Sequence, residues 1–343
     1  MNDAHDSKFS RFVYRCNMTS SFDWARRHVA EGILPTAVLG IATSKGISDV
    51  AAFGSSGSRA ATTDDAYPLF SITKPLVGLT ALRAVERGLL PLDAPLVEAL
   101  PEFHNPAVTL THLLSHTSGI SEPEMADGTR RALLDSQQDF AAGSMSRYST
   151  IAFEGVSALV QNATGDSLDA NLASLAADAG MPGLTFDRLA ANPHPVFDAA
   201  EQGLDYDAFA SLRSPGAGLI ATASDLLNLG SALLRNDGSV VHPTTRSAML
   251  RPLTAGLPKL APYVVERGQD WGLGWSLRHS APGLLERGVF GHGGWAGTEF
   301  WLYPELDVCF VLLTNVASPG RLGLNTDPLF NAVAAGVSTG STS

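Results

Sequence analysis

The sequence predicts an α+β fold in which one antiparallel sheet with flanking helices is built from both termini and a helical lobe is inserted between its halves. Three observations lead there. Strand-like runs cluster at the two ends of the chain, helical periodicity fills the interval between them, and hydrophobic residues make up 45% against 17% charged. Such a composition supplies a sizeable core and carries too little charge for disorder. At 343 residues the chain exceeds the usual single-domain length, so a two-lobed unit or two domains is expected.

Residues 1–21 mix Asp3, Asp6, Lys8, Arg11 and Arg15 among polar residues and contain no apolar core of a secretory signal, so they read as an N-terminal extension. Phe22 to Glu31 reads as a short amphipathic helix. Thr36 to Thr43 and Ile47 to Phe53 are β-rich runs around Ser44-Lys45-Gly46, which predicts a hairpin. Ser71 to Arg87 follows as a helix closed by Gly88. From Leu89 to about Ser214 the signals are helical with long connections, clearest in Thr150 to Ala163 and Leu168 to Ala177, which Gly165 and Gly180 stop. Ser224 to Leu234 is a further helix. Strands return at Trp271 to Leu277, Gly288 to Phe290, Thr298 to Leu302 and Val308 to Thr314, and Leu329 to Ala335 forms a closing helix. This order puts a sheet lobe at about 22–70 and 215–335, a helical lobe at about 71–214, and a flexible Gly/Ser/Thr-containing tail at 336–343. A cleft between two such lobes is where ligands tend to bind.

The charge balance excludes several functions. With 23 Lys+Arg against 34 Asp+Glu, the formal charge of −11 argues against a nucleic-acid partner. No stretch is apolar and uncharged over about 18 residues, so no membrane partner is expected and the expected location is cytoplasmic. Cys16 and Cys309 cannot supply a disulfide framework or a cysteine-rich zinc site, and Cys309 lies in an apolar run as a small buried residue. Lys8, Lys45, Lys74 and Lys259 are the only lysines, so chemistry that needs an amine has four candidates.

One of the four stands beside a serine. Ser71-Ile72-Thr73-Lys74 places two side chains at i and i+3, on one face of a helix. A serine hydroxyl attacks only when a base takes its proton, and a desolvated lysine can be that base. Pro75 fits a helix that starts near Ser71, because proline is tolerated in a first turn. The helix N-terminus adds N–H groups that favour developing negative charge. With 32 serines and four lysines, about 0.4 such matches arise by chance, so the motif needs company.

Two segments supply it. Tyr148-Ser149-Thr150 sets a tyrosine in a polar turn before a helix, where a protonated lysine nearby would make its phenolate accessible as a base. Phe290-Gly291-His292-Gly293-Gly294-Trp295 is a glycine-rich strand start that lets a substrate approach the backbone closely.

In order and spacing, Ser71-Ile72-Thr73-Lys74, Tyr148-Ser149-Thr150 and His292-Gly293-Gly294 resemble the motifs of the serine β-lactamase and penicillin-binding-protein superfamily, in particular its class C-like branch with the family VIII carboxylesterases. Leu110-Thr111-His112-Leu113-Leu114-Ser115-His116-Thr117-Ser118-Gly119, Ser214-Pro215-Gly216-Ala217-Gly218-Leu219 and Trp271-Gly272-Leu273-Gly274-Trp275 are similar to further segments of that branch. The resemblance covers about residues 22–335 as a single catalytic domain of β-lactamase/transpeptidase-like fold. It implies Ser71 as the acylated nucleophile, with Lys74 and Tyr148 sharing the proton work. It also implies an oxyanion hole from the Ser71 and Trp295 N–H groups, a substrate-binding rim of Thr150, His292, Gly293, Gly294 and Trp295, and neither metal nor organic cofactor. The partner is then a small-molecule ester or acyl substrate, while the oligomeric state stays open.

Two departures steer the expected substrate. Thr150 stands where the family usually has Asn, and a hydroxyl cannot offer an amide's two donors to a substrate amide. His292 stands where β-lactamases usually carry Lys, and a neutral imidazole holds a carboxylate less firmly. Both favour a carboxylic ester over a β-lactam or peptide, with acyl transfer or amide cleavage as alternatives on the same machinery and a non-catalytic sensor as a remoter one. Trp295 is expected to form an aromatic wall for an apolar group. His112 and His116 have zinc-helix spacing, but Leu113 replaces the catalytic Glu, so His116 reads as a hydrogen-bonding residue of its turn. An α/β-hydrolase is excluded by the lack of Gly-x-Ser-x-Gly.

Overall fold

A computed structural model describes residues 19–260, 269–278, 288–317 and 324–336. Their strands are β1 (Thr36–Thr43), β2 (Gly46–Ser56), β3 (Arg59–Ala60), β4 (Ala66–Pro68), β5 (Ile220–Thr222), β6 (Gln269–Trp271), β7 (Ser276–Arg278), β8 (Val289–Gly293), β9 (Glu299–Tyr303) and β10 (Val308–Thr314). The helices are α1 (Thr19–Ala30), α2 (Thr73–Glu86), α3 (Leu110–Leu114), α4 (Arg130–Asp135), α5 (Ala152–Thr164), α6 (Leu168–Ala179), α7 (Arg188–Ala191), α8 (Tyr206–Ser211), α9 (Ala223–Arg235), α10 (Pro243–Met249) and α11 (Asp327–Gly336).

Eight strands form one sheet in the order β3-β2-β1-β10-β9-β8-β7-β6, with each described neighbour pair antiparallel. Its centre pairs the two ends of the chain, from Ala37 opposite Thr314 to Ala42 opposite Cys309. Both strands are buried almost throughout because both faces are covered. Successive side chains point to opposite faces, and the core divides accordingly. Val38, Ala42, Cys309, Val311 and Leu313 pack with α9 and α2, whereas Leu39, Ile41, Phe310 and Leu312 pack with Trp24 of α1 and Phe330 of α11. Cys309 is fully buried, and burial pushes its thiol up to about 12, so it is an inert part of the core.

The expected helical interval contains α3 to α8, with Gly165 and Gly180 ending α5 and α6 in the left-handed conformation. One expectation fails. Trp271 to Leu277 is not a single strand but the hairpin β6–β7, with Trp271 opposite Ser276. Gly274 adopts φ 83° in the turn, and the Gly272 N–H donates to the Trp275 carbonyl at 2.9 Å. Trp271, Leu273, Trp275 and Leu277 alternate with small residues at the period of a strand, and that alternation hides the reversal that the two glycines make possible. At Gly272 a Cβ would lie 2.0 Å from the Met249 carbonyl oxygen. Gly272→Ala is therefore expected to displace the end of α10 and cost about 1–3 kcal/mol, seen as a lower melting temperature; an unchanged melt would contradict this packing.

β4 leads directly to the site. It pairs with β5, Tyr67 OH donates to Thr36 Oγ1 at 3.0 Å, and Thr36 Oγ1 donates to Asn315 Oδ1 at 2.6 Å. This buried network ties the segment before Ser71 to the ends of β1 and β10. Paired hydrogen bonds of this kind rigidify a core that unpaired groups would destabilise.

Candidate active site

Phe70 turns the chain from β4 into the site. Its φ of 45° lies in the left-handed region, an unusual state for a bulky residue that costs about 1–3 kcal/mol. Ring packing holds it there: Phe209 stacks at 5.6 Å, Trp295 lies at 5.2 Å and Tyr206 at 6.1 Å between centroids. The Leu69 N–H donates to the Leu219 carbonyl at 2.8 Å, and the Thr298 hydroxyl donates to the Leu69 carbonyl at 3.3 Å. Ser71 then sits half-buried in a 3₁₀ turn, Phe70–Ile72, that runs into α2. The helix thus begins at Thr73 rather than Ser71, and Pro75 still falls in its first turn.

Lys74 lies beneath the serine, fully buried. Its Nζ is 3.1 Å from Ser71 Oγ, 3.2 Å from Thr150 Oγ1 and 2.9 Å from the Gly216 carbonyl oxygen. It also stands 4.5 Å from the Tyr148 ring centroid and 5.8 Å from that of Phe153. Burial brings the amine down to about 7, against a smaller upward pull from the Glu122 carboxylate. A fully buried lysine near neutrality can hold or release a proton at little cost, which an exposed one cannot.

Tyr148 comes from the turn before α5 and is boxed by rings: His116 at 4.5 Å, Trp271 at 5.4 Å and His292 at 5.9 Å. His116 is buried at φ 58°, and its Nδ1 accepts the Ser149 N–H at 3.0 Å. It is the hydrogen-bonding turn residue expected, and burial holds it well below the ordinary histidine range, neutral. His112 Nδ1 accepts the Thr109 N–H at 3.2 Å in a capping box on α3. Among the described residues no group of three or more His, Cys, Asp or Glu side chains is arranged to hold a metal ion, and no helix is long and apolar enough to cross a membrane.

The glycine-rich strand is β8. His292 Nδ1 lies 2.6 Å from the Gly293 carbonyl oxygen, which places the ring proton on Nδ1. Burial, then the Lys74 charge, bring His292 down to about 3, so it is neutral. Gly294 donates to the Thr298 carbonyl at 2.7 Å. A Cβ on Gly294 would stand 2.4 Å from the Leu69 carbonyl oxygen, so only glycine lets β8 approach the nucleophile segment this closely. Between these parts lies a pocket of about 290 Å³ lined by Ser71, Tyr148, Thr150, His292, Gly293, Gly294 and Trp295. Every sequence-predicted site residue therefore meets at this pocket, with Lys74 under its floor.

Further residues at the site are not picked out by the motifs, although Lys259 stands among the four amine candidates. Lys259 reaches the pocket and pairs with Asp270 at 3.0 Å. The Arg278 guanidinium lies between the Trp301 and Phe330 rings, 4.3 Å from each centroid. Glu122 takes the Ser149 hydroxyl at 2.8 Å and the Thr150 N–H at 2.8 and 2.9 Å. No spacing rule connects any of them to the motifs, because each contact is made by tertiary folding alone.

Fold and site together define a serine hydrolase of the β-lactamase type. The sequence matches the Beta-lactamase family over residues 23–333, and the chain belongs to that family. Esterase EstB of Burkholderia gladioli is 31% identical over 330 residues, covering 79% of this chain and 82% of that one. Among solved structures, EstCE1, described as a hydrolase with promiscuous acyltransferase activity, superposes with a TM-score of 0.75 at 22% identity, over 92% of this chain and 97% of its own. Simvastatin synthase (LovD) of Aspergillus terreus gives a TM-score of 0.76 at 20% identity, over 94% and 98%. The last two likenesses are of fold.

Proposed function

We propose that the protein hydrolyses carboxylic esters of small molecules through an acyl-enzyme on Ser71. The observation that carries this reading is the 3.1 Å contact between Ser71 Oγ and a fully buried Lys74 amine brought down to about 7. Neutral Lys74 takes the Ser71 proton as Oγ bonds to the ester carbon, and the N–H groups of Ser71 and Trp295 hold the oxyanion. When the C–O bond breaks, Lys74 and Tyr148 return the proton to the departing alkoxide. Water then adds to the acyl carbon, gives up its proton by the same route, and releases the carboxylic acid with Ser71 restored. Thr150, His292, Gly293 and Gly294 line the path of the substrate.

Neutral His292 supports an ester over a β-lactam, because it supplies no cation for a carboxylate. Among the described residues that line the pocket, Lys259 pairs with Asp270 and the Arg278 guanidinium lies between two rings. The esterase relative supports the same choice. Acyl transfer, in which an acceptor alcohol replaces water, uses identical steps, and the acyltransferase activity in the EstCE1 description favours it as the second reading. Turnover of p-nitrophenyl esters and of a chromogenic β-lactam, with and without added alcohol, tests all three. Ester hydrolysis without β-lactam turnover is the expected result; β-lactam turnover alone would overturn the ester reading, and product formed only with added alcohol would favour transfer.

Trp295 is half-buried at the pocket and held against Phe70, the placement a wall for an apolar acyl or alcohol group requires. Trp295→Ala is expected to shift the preferred p-nitrophenyl ester toward longer chains, with about ten-fold changes in relative kcat/KM. An unchanged chain-length profile would remove the wall from the reading.

A further inference from the structure

The turn that carries Tyr148 runs into α5, whose N-cap residue Ile151 offers no side-chain cap. The Glu122 carboxylate, 29 residues upstream of Ile151, fills that role from another loop. It accepts the Ser149 hydroxyl at 2.8 Å, the Thr150 N–H at 2.8 Å and the Ile151 N–H at 3.3 Å. Ser149 is latched on its other side by His116 Nδ1 at 3.0 Å, and its Oγ accepts the Ala152 N–H at 3.2 Å. Charge-assisted bonds to the N–H groups at a helix start are the strong kind, and a half-buried carboxylate makes them in a poorly screened place.

What this cluster holds is the Lys74 environment. Thr150 Oγ1 is a direct partner of Lys74 Nζ at 3.2 Å, and the Tyr148 ring is 4.5 Å away. We propose that Glu122 is a positioning residue of the reaction: its carboxylate, bonded to the Ser149 hydroxyl and to the Thr150 and Ile151 N–H groups, locks the Tyr148–Thr150 turn against Lys74 and sits on the backbone of the residue whose hydroxyl meets the amine. The inference rests on the reading of Ser71 and Lys74 given above.

The groups facing Lys74 come from four segments. Tyr148 and Glu122 lie on loops, His116 follows α3, and His292 belongs to β8. Both histidines are neutral, so neither opposes Glu122 with a charge near pH 7. Arg147, next to the turn, is committed to Asp139 and to the Ile120 carbonyl. Glu122 is accordingly the charge that acts on the amine, and it acts upward.

The chain's four lysines make a direct test practical. Protein labelled with ¹³C at the lysine ε-carbon is titrated by NMR, with the Lys74 signal assigned from Lys74→Arg. Glu122→Gln is expected to move the Lys74 midpoint down by about 1 pH unit, because the stabilising negative charge is gone. The acid limb of ester kcat should move by the same amount, with kcat falling about ten-fold at the plateau and KM changing little. Glu122→Asp keeps the charge with a shorter reach and should lie between the two. A lowered rate with both midpoints unmoved would reduce Glu122 to a structural clamp and overturn the proposal. Should Glu122→Gln fail to fold, Glu122→Asp identical to wild type in midpoint and rate overturns it instead. A wild-type protein with no ester turnover would sink the proposed function, while the NMR midpoint still reads the Glu122–Lys74 coupling.

Discussion

Ser71→Ala should lower ester turnover by about 10⁴-fold or more and abolish labelling by a fluorophosphonate probe, with the melting temperature little changed. On the proposed mechanism, removing Oγ removes the atom that would form the acyl bond, and no rearrangement of Lys74 or Tyr148 would replace it. Stability should survive because Lys74 keeps the Thr150 hydroxyl and the Gly216 carbonyl as partners. Intact-mass measurement after a short exposure to a p-nitrophenyl ester gives the second readout: an acyl adduct on wild type, none on the variant. Equal label or equal turnover in Ser71→Ala would remove Ser71 from the mechanism. The residual rate of the variant is informative as well, since on the proposed mechanism the Ser71 and Trp295 N–H groups and Lys74 would still activate water weakly.

How much of the fold and of the site is legible in the sequence follows the range of the interactions. The sequence predicts β1 and β10 with their observed bounds, because apolar runs bounded by turn residues mark strands buried on both faces. Sequence periodicity predicts α5, α6 and α9 to within about two residues, since glycine stops and periodicity act locally. The hairpin β6–β7 is not legible in the sequence, because its reversal packs Gly272 under the Met249 carbonyl, a contact between distant residues. The site divides in the same way. Ser71 and Lys74 are one helical turn apart and announce themselves in four letters, whereas Glu122 becomes visible only when the chain returns it to Ser149. Phe70 is a further case: nothing in Leu69-Phe70-Ser71 suggests a left-handed phenylalanine, because the rings that enforce it come from α8 and Trp295. The sequence predicts a neutral His292 from the ordinary range of an imidazole, and full burial beside Lys74 is a stronger reason for it.

Lys74→Arg is expected to cost about 10²–10⁴-fold in ester kcat, because a guanidinium stays protonated and can take nothing from Ser71. In wild type the sign of the pH dependence follows from the direction of the Lys74 shift. Below about 7 the amine is charged and has no lone pair to offer, so turnover should rise through about pH 7 and level off above it. Stability carries the same signature. The native amine, at about 7 against an ordinary 10.5, binds fewer protons than the unfolded chain between those values, so stability rises with pH across that window. Below it, the charged amine stays buried at full desolvation cost. Lys74→Met should therefore be inactive yet melt higher than wild type, with the gap largest below pH 7 and closing toward pH 10.5. Melting curves at pH 6, 8 and 10 read this directly, and a gap that does not change with pH would mean that the buried amine titrates elsewhere. Near-normal turnover in Lys74→Arg would remove Lys74 as the base, leaving Tyr148 to take the Ser71 proton alone. The two variants separate the roles of one side chain, because arginine retains the charge without the base and methionine retains most of the volume without either. A lysine that destabilises the fold near neutrality and yet is needed for turnover is what a site held for chemistry rather than for packing would contain.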